Sequence, residues 1–258
     1  MDIQFVRADP TGNITALVES FSGAGEAAAE AVFASDGSIE QLGFLHESEK
    51  GHVGLRMAGG EFCGNACLCA AAWHMRRCSL ERSHILVDIS GAESPIGVDM
   101  ERVGENDYAG ALNMPLPLDI KCIETDFGTA PLLRFPGICH LIAPASLGKE
   151  RAEELIVPLC RRLGAEALGL MLFDEAESRL APLVYVPGAD TLCWEHSCAS
   201  GSSAVGAWLA CEAGESRCLK LSQSGGELGI SAKVEDGALR TLRLSGRVSL
   251  GERKIIQI

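Results

Sequence analysis

The chain of 258 residues is 47% apolar and 22% charged, enough apolar material for one large domain or two ordinary ones and too little charge for a disordered polymer. Its formal net charge of −13 disfavours long-range attraction to nucleic acid or an anionic membrane, and neither is expected as a partner. The start Met1–Arg7 lacks a basic segment followed by an apolar core, and no apolar run approaches the roughly 18 residues of a spanning helix. With 11 cysteines, an odd number, this predicts a reduced cytoplasmic protein whose cysteines are mostly small buried apolar residues.

In chain order, Ile3–Ala8 alternates apolar and polar residues as a strand does, and Asp9-Pro10-Thr11-Gly12-Asn13 has turn composition. Ile14–Val18 returns as a strand. Gly23-Ala24-Gly25 leads into an alanine-rich helix over Glu26–Ala34; without a third glycine it is a helix start rather than a dinucleotide loop. Strands are predicted at Ile39–His46 and His52–Met57, then a helix at about Asn65–Arg77. Further strands follow at Ile85–Ile89, Ile96–Met100 and Tyr108–Asn113, with Pro115 and Pro117 marking a crossing point. The second half repeats this order. Strands are expected at Ile120–Phe127, Leu132–Phe135 and Ile138–Ile142, and a helix at Gly148–Leu163, kinked or broken near Pro158. Leu168–Phe173 and Leu183–Val186 are strands, and a last helix runs to about Glu212.

Two stretches organise this order. Glu61-Phe62-Cys63-Gly64-Asn65 runs into Ala70-Ala71-Ala72-Trp73, and Glu195-His196-Ser197-Cys198-Ala199-Ser200-Gly201 runs into Gly206-Ala207-Trp208. When Cys63 is laid on Cys198, Trp73 falls on Trp208, two of only three tryptophans in the chain. Ser90-Gly91-Ala92-Glu93 and Ser224-Gly225-Gly226-Glu227 echo one another after the two helices. The chain therefore reads as two related halves, each presenting one cysteine at a helix start, with a cleft expected between them.

A cysteine there sits near free backbone N–H groups and the positive end of the helix dipole, which favour its thiolate. The small residues that follow let an anion such as a carboxylate approach those groups. Two such units facing one substrate suggest inversion at the α-carbon of an amino acid: one thiolate removes a proton and the opposite thiol delivers one to the other face, with no cofactor. Two thiols across an empty cleft are also expected to form an inactivating disulfide on oxidation. Cys63, Cys67 and Cys69 do not form a C-x₂-C pair, Cys67 and Cys69 would point in different directions on a helix, and no second cysteine pair lies nearby to complete a tetrahedral set, so no metal is expected.

Cys63-Gly64-Asn65 and Cys198-Ala199-Ser200-Gly201 resemble the paired motifs of the diaminopimelate epimerase-like superfamily of racemases and epimerases that work without pyridoxal phosphate. Asp9-Pro10-Thr11-Gly12-Asn13 and Met57-Ala58-Gly59-Gly60-Glu61-Phe62-Cys63 resemble in particular the histidine racemase branch of opine metallophore pathways. The resemblance spans essentially the whole chain. It implies an α/β fold of two pseudo-symmetric domains, each a curved, mainly antiparallel sheet wrapped around a central helix. The domains would cover residues 1–117, joined by the last strand at about 250–258, and residues 118–249.

The resemblance also assigns roles. Cys63 and Cys198 match the acid/base thiols, His140 a histidine assisting the first thiol, and Glu195 an acid assisting the second. Asn13 and Asn65 match substrate-contacting positions, while Gly64, Ala199 and Ser200 would face the α-carboxylate. His196 has no counterpart role in the resemblance; as a substrate-binding candidate it would line the pocket, and the alternative is that it points to solvent. Where diaminopimelate epimerases carry an arginine after the glutamate, this chain has His196; Ile138 and Pro182 stand where substrate-binding asparagines would be. Histidine is therefore the leading substrate. Diaminopimelate epimerase is the alternative enzyme, and a silent amino-acid-binding protein the alternative of another class. A small amino acid is the expected partner, no cofactor is expected, and a homodimer is compatible with the resemblance.

Overall fold

The computed structural model describes residues 2–21 and 24–257, so Gly23 of the predicted glycine turn lies outside the described residues. Strands β1 (Asp2–Asp9) and β2 (Thr15–Ser20), helix α1 (Gly25–Ser35), strands β3 (Gln41–His46) and β4 (Val53–Met57), and helix α2 (Gly64–Arg77) come first. Strands β5 (Arg82–Ile89), β6 (Ile96–Arg102), β7 (Asp107–Asn113), β8 (Asp119–Thr125), β9 (Gly128–Phe135) and β10 (Ile138–Pro144) follow, then helix α3 (Lys149–Leu163). The chain ends with β11 (Leu168–Asp174), β12 (Arg179–Val186), β13 (Thr191–Trp194), α4 (Ala199–Ala213), β14 (Arg217–Gln223), β15 (Gly226–Glu235) and the long β16 (Ala238–Gln257). Two compact units emerge, one of Met1–Asn113 with Ser245–Ile258 and one of Met114–Leu244.

In the first unit, β1–β2, β3–β4, β5–β6 and β6–β7 pair antiparallel, while β2–β3 and β4–β5 pair parallel. Parallel neighbours need a crossover, and α1 and α2 supply the two. Strand β16 pairs with both β7 and β1, which closes eight strands into a ring. Closure leaves no free edge and a narrow interior. Helix α2 packs on β2 to β7, with Gly64 to Trp73 and Met75 all buried. Its alanines and cysteines are small enough for so crowded a position, and Leu68 is wholly enclosed.

The second unit repeats the plan. Strands β8–β9, β9–β10, β11–β12, β12–β13 and β14–β15 pair antiparallel, and β10–β11 and β12–β14 pair parallel across α3 and α4. Helix α4 packs on β9, β10, β11, β14 and β15. The expected fold class, mixed α/β with mainly antiparallel sheet around a central helix, is what each unit shows.

Two local expectations need correction. Helix α3 continues through Pro158 instead of breaking. Pro158 lies on the exposed face of the helix, while Leu155, Ile156 and Leu159 anchor both sides of it in the core. The strand expected over Ile120–Phe127 stops at Thr125. Thr125 Oγ1 accepts from the Phe127 N–H and donates to the Gly128 carbonyl, closing a hairpin, and Phe127 packs on the core from the turn.

Candidate active site

In the first unit, Cys63 is the N-cap of α2, with extended backbone (φ −135°, ψ 114°), and its Sγ accepts the N–H of Ala66 at 3.4 Å. It is half-buried. The loop before it is tied down by Ser90, whose Oγ accepts the Met57 N–H at 2.9 Å and donates to the Glu61 carbonyl at 3.1 Å.

The predicted turn places Asn13 beside this helix start. Thr11 and Gly12 both adopt left-handed backbone (φ 64° and 90°), and the Gly12 N–H donates to Asp9 Oδ1 at 2.6 Å. Asn13, 2% exposed, donates its side-chain amide to Glu40 Oε2 at 2.8 Å. Its Oδ1 accepts the amide of Asn65 at 3.3 Å, so both ends of Asn13 are used and its orientation is set. The structure thus joins Asn13 and Asn65 next to Cys63 and adds Glu40, which the sequence reading missed. Glu40 was one polar position in a strand-like run, and nothing local distinguished it. Cys67 and Cys69 are wholly buried core residues of α2, and burial, followed by the charge of Cys63, pushes both thiols well up.

A cavity of about 900 Å³ lies at the other end of α2, lined by Trp73, His74, Arg76, Cys78, Glu19 and Arg253 among others. No predicted site residue lines it.

In the second unit, Cys198 is the N-cap of α4 (φ −120°, ψ 109°), and its Sγ accepts the N–H of Gly201 at 3.3 Å. Its own N–H donates to Gln223 Oε1 at 2.9 Å, and Gln223 Nε2 donates to Ser202 Oγ at 3.0 Å. Gln223 is a second residue the sequence reading missed, although the Ser224-Gly225 echo beside it marked the segment. The Gly225 N–H donates to the His196 carbonyl at 2.9 Å, so this echo also holds the loop ahead of its cysteine. The His196 side chain is exposed. Pro182, in place of an asparagine, accepts the Glu195 N–H on its carbonyl at 3.0 Å. Ala199 opens α4 and is not among the left-handed positions, so its side chain is accommodated without strain.

Cys198 is 5% exposed. Burial pushes its thiol well up; the charge of Glu195 and a hydrogen bond with its carboxylate add to this, and the Gly201 N–H and Ser200 oppose it. The sulfur therefore rests protonated. Ser200 Oγ lies 3.6 Å from Cys198 Sγ and 2.9 Å from His140 Nε2. His140 is completely buried, and burial lowers it to about 3, so its ring is neutral. Its observed hydrogen-bond partner is Ser200, which brings it to the side of the second thiol.

Two glycines make this packing possible. His140 and Gly169 are register partners on β10 and β11, and a Cβ at 169 would overlap His140 Nδ1. A Cβ at 201 would overlap Met171 Sδ and crowd Cys198 Sγ.

Known proteins share this chain's features. Residues 2–253 match the family described as the histidine racemase CntK N-terminal domain. A histidine racemase of Fusobacterium nucleatum is 32% identical over 218 residues, covering 80% of this chain and 81% of that protein. One from Staphylococcus aureus is 28% identical over 226 residues, covering 79% and 78%. Among solved structures, a hydroxyproline epimerase from Agrobacterium vitis with bound trans-4-hydroxy-L-proline superposes with TM-score 0.72 at 10% identity, covering 99% of this chain and 91% of that one. A predicted epimerase from Pseudomonas aeruginosa gives 0.72 at 15% identity, covering 99% of each. At such identities the structures speak for the fold, and with the family match across nearly all of its length the chain belongs to the histidine racemase family.

Proposed function

We propose that this protein is a cofactor-independent amino-acid racemase that inverts histidine at Cα through Cys63 and Cys198. The observation that carries this reading is the repeated helix-start thiol, each with its sulfur on the N–H three residues along. One thiolate takes the α-proton while the other sulfur, as thiol, returns a proton to the opposite face. Cys198 is suited to the donor role first, because burial and Glu195 keep it protonated. The roles then exchange for the reverse reaction. First-turn N–H groups of α2 and α4, which have no acceptor within their helices, are suited to bind the carboxylate and the charge that builds on it. Glu40, Asn13 and Asn65 form a polar set suited to the substrate's nitrogen groups. Both proton acceptor and proton donor come from the chain, so the step needs no pyridoxal phosphate.

Histidine as substrate rests on the relatives' names and on the missing distal-carboxylate contacts at His196, Ile138 and Pro182. The proposal includes a cytoplasmic setting, because acid/base thiols require reducing conditions, and a place in opine metallophore synthesis. The test is incubation of the purified chain with L-histidine in D₂O. Solvent deuterium at Cα with loss of optical rotation is expected, and diaminopimelate should not exchange. Exchange of diaminopimelate but not histidine would reassign the substrate; exchange of neither would leave an amino-acid-binding protein.

A further inference from the structure

We infer that His140 acts through Ser200 on Cys198: the His140 Nε2–H donates to Ser200 Oγ, which turns the serine proton onto Cys198 Sγ and makes Ser200 a fixed donor to that sulfur. The inference rests on the reading of Cys198 as an acid/base thiol, and it names what lets so enclosed a sulfur ionise.

The geometry supplies the direction. A neutral imidazole has one donor nitrogen and one acceptor nitrogen. His140 Nδ1 is buried without a hydrogen-bond partner and faces the place a side chain at 169 would fill. Placing the proton on Nδ1 would strand an N–H there, and stranded buried N–H groups are rarer than under-used acceptors. The proton therefore sits on Nε2, 2.9 Å from Ser200 Oγ. An oxygen that accepts from Nε2 points its own proton elsewhere, and Cys198 Sγ lies 3.6 Å away. The ring cannot swing out of this role: β11 backs it at Gly169 and Phe135 meets it edge-on at 5.9 Å between centroids.

Cys198 thus has partners for both of its charge states. Glu195 serves the thiol by accepting its proton in a hydrogen bond. The Gly201 N–H and the Ser200 O–H serve the thiolate by donating to sulfur. A group that must finish each turnover in the other state needs both. No proton passes through Ser200 or His140; when Cys198 gives its proton to substrate, they keep theirs. They are positioning residues, and neither could be replaced by a group that only fills space.

The test reads Cys198 itself. Methylthiolation by methyl methanethiosulfonate, followed across pH by mass spectrometry of the Cys198 peptide, gives the midpoint of thiolate formation in the full chain. Accessibility scales the rate but leaves the midpoint in place. Ser200→Ala should raise that midpoint by about one pH unit, a roughly tenfold loss of thiolate at fixed pH. Ser200→Thr, which keeps the hydroxyl, should restore it. His140→Phe should raise it too, and the double variant should go no further than Ser200→Ala, because the two act in series. Slower modification with an unmoved midpoint would overturn the proposal, as would additive shifts in the double variant. Thermal melts identify any variant that fails to fold, and Ser200→Thr then carries the test by holding the midpoint only if the hydroxyl is the operative group. The midpoint is read without substrate, so a shift in a chain that never racemises histidine would uphold this pair while rejecting the proposed activity.

Discussion

Cys63 and Cys198 hold the same post in their respective units: each is the N-cap of the second crossover helix, and each sulfur accepts a backbone N–H three residues along, from Ala66 at 3.4 Å and Gly201 at 3.3 Å. The thiols thus help build the helix starts as well as standing at them.

Serine separates those two jobs, because it is a preferred N-cap but a far weaker acid than a thiol. Cys63→Ser and Cys198→Ser should each lower the formation of D-histidine from L-histidine by about 10²–10⁴-fold, measured by chiral chromatography. Thermal unfolding should change by less than about 1 kcal/mol. Activity surviving both changes would reject the two-thiol mechanism.

Asn13→Asp keeps the shape of the buried residue but sets a carboxylate where an amide donates to Glu40 Oε2 at 2.8 Å. Two carboxylates that close cannot both ionise, so one must hold a proton. Activity of the variant should fall steeply as pH rises from 5 to 8, whereas the unchanged chain should hold or gain. Parallel pH profiles of kcat/KM would show that the Glu40 contact has no bearing on the site.

His140 predicts an acid limb in stability. The folded ring stays neutral down to about 3, whereas the unfolded ring takes a proton below about 6.5. Between these values the unfolded state binds the extra proton, so stability is full above about 6.5 and is lost as pH falls through the window, at up to about 1.4 kcal/mol per unit. His74, lowered by burial and by His52 and Arg77, acts with the same sign. Carboxylates with depressed values, such as Glu19, contribute mainly below this range, so urea unfolding between pH 6.5 and 5 isolates the histidines. His140→Asn should flatten that limb relative to the unchanged chain; an equal slope would place the acid sensitivity elsewhere.

Gly169→Ala forces a methyl group into His140 on a buried strand. Overpacking of this kind should cost about 1–3 kcal/mol in the denaturant midpoint. Displacing the ring should also weaken its hold on Ser200. A variant as stable as the original would show that β10 and β11 can separate at this point.

Much of this was open to the sequence, because it is local. An N-cap, its helix and the small residues after it are decided within a few positions, so two copies of one such pattern could be aligned on Cys63 and Cys198. The same alignment carried the division into two related halves, since a repeated order of strands and helices implies a repeated packing problem, while the fold class followed from the resemblance of the paired motifs to the diaminopimelate epimerase-like superfamily. It also exposed the echoes at Ser90 and Ser224-Gly225, though not their work of holding the loops before each cysteine.

Side-chain partners distant in the chain were decided by tertiary structure alone. Asn65 meets Asn13 and His140 meets Ser200 only because parallel crossovers bring helix starts to neighbouring strand ends. Glu40 and Gln223 gained their roles in the same way: nothing in the local sequence distinguished Glu40, and beside Gln223 only the Ser224-Gly225 echo marked the segment. Pro158 shows the limit from the other side: its local tendency to break a helix lost to the apolar contacts of Leu155, Ile156 and Leu159, and only the packed core could set that balance. The sequence by itself determined where the two thiols start their helices; the tertiary structure decided what surrounds Cys198, because burial and the groups that meet its sulfur arise only when the strands assemble.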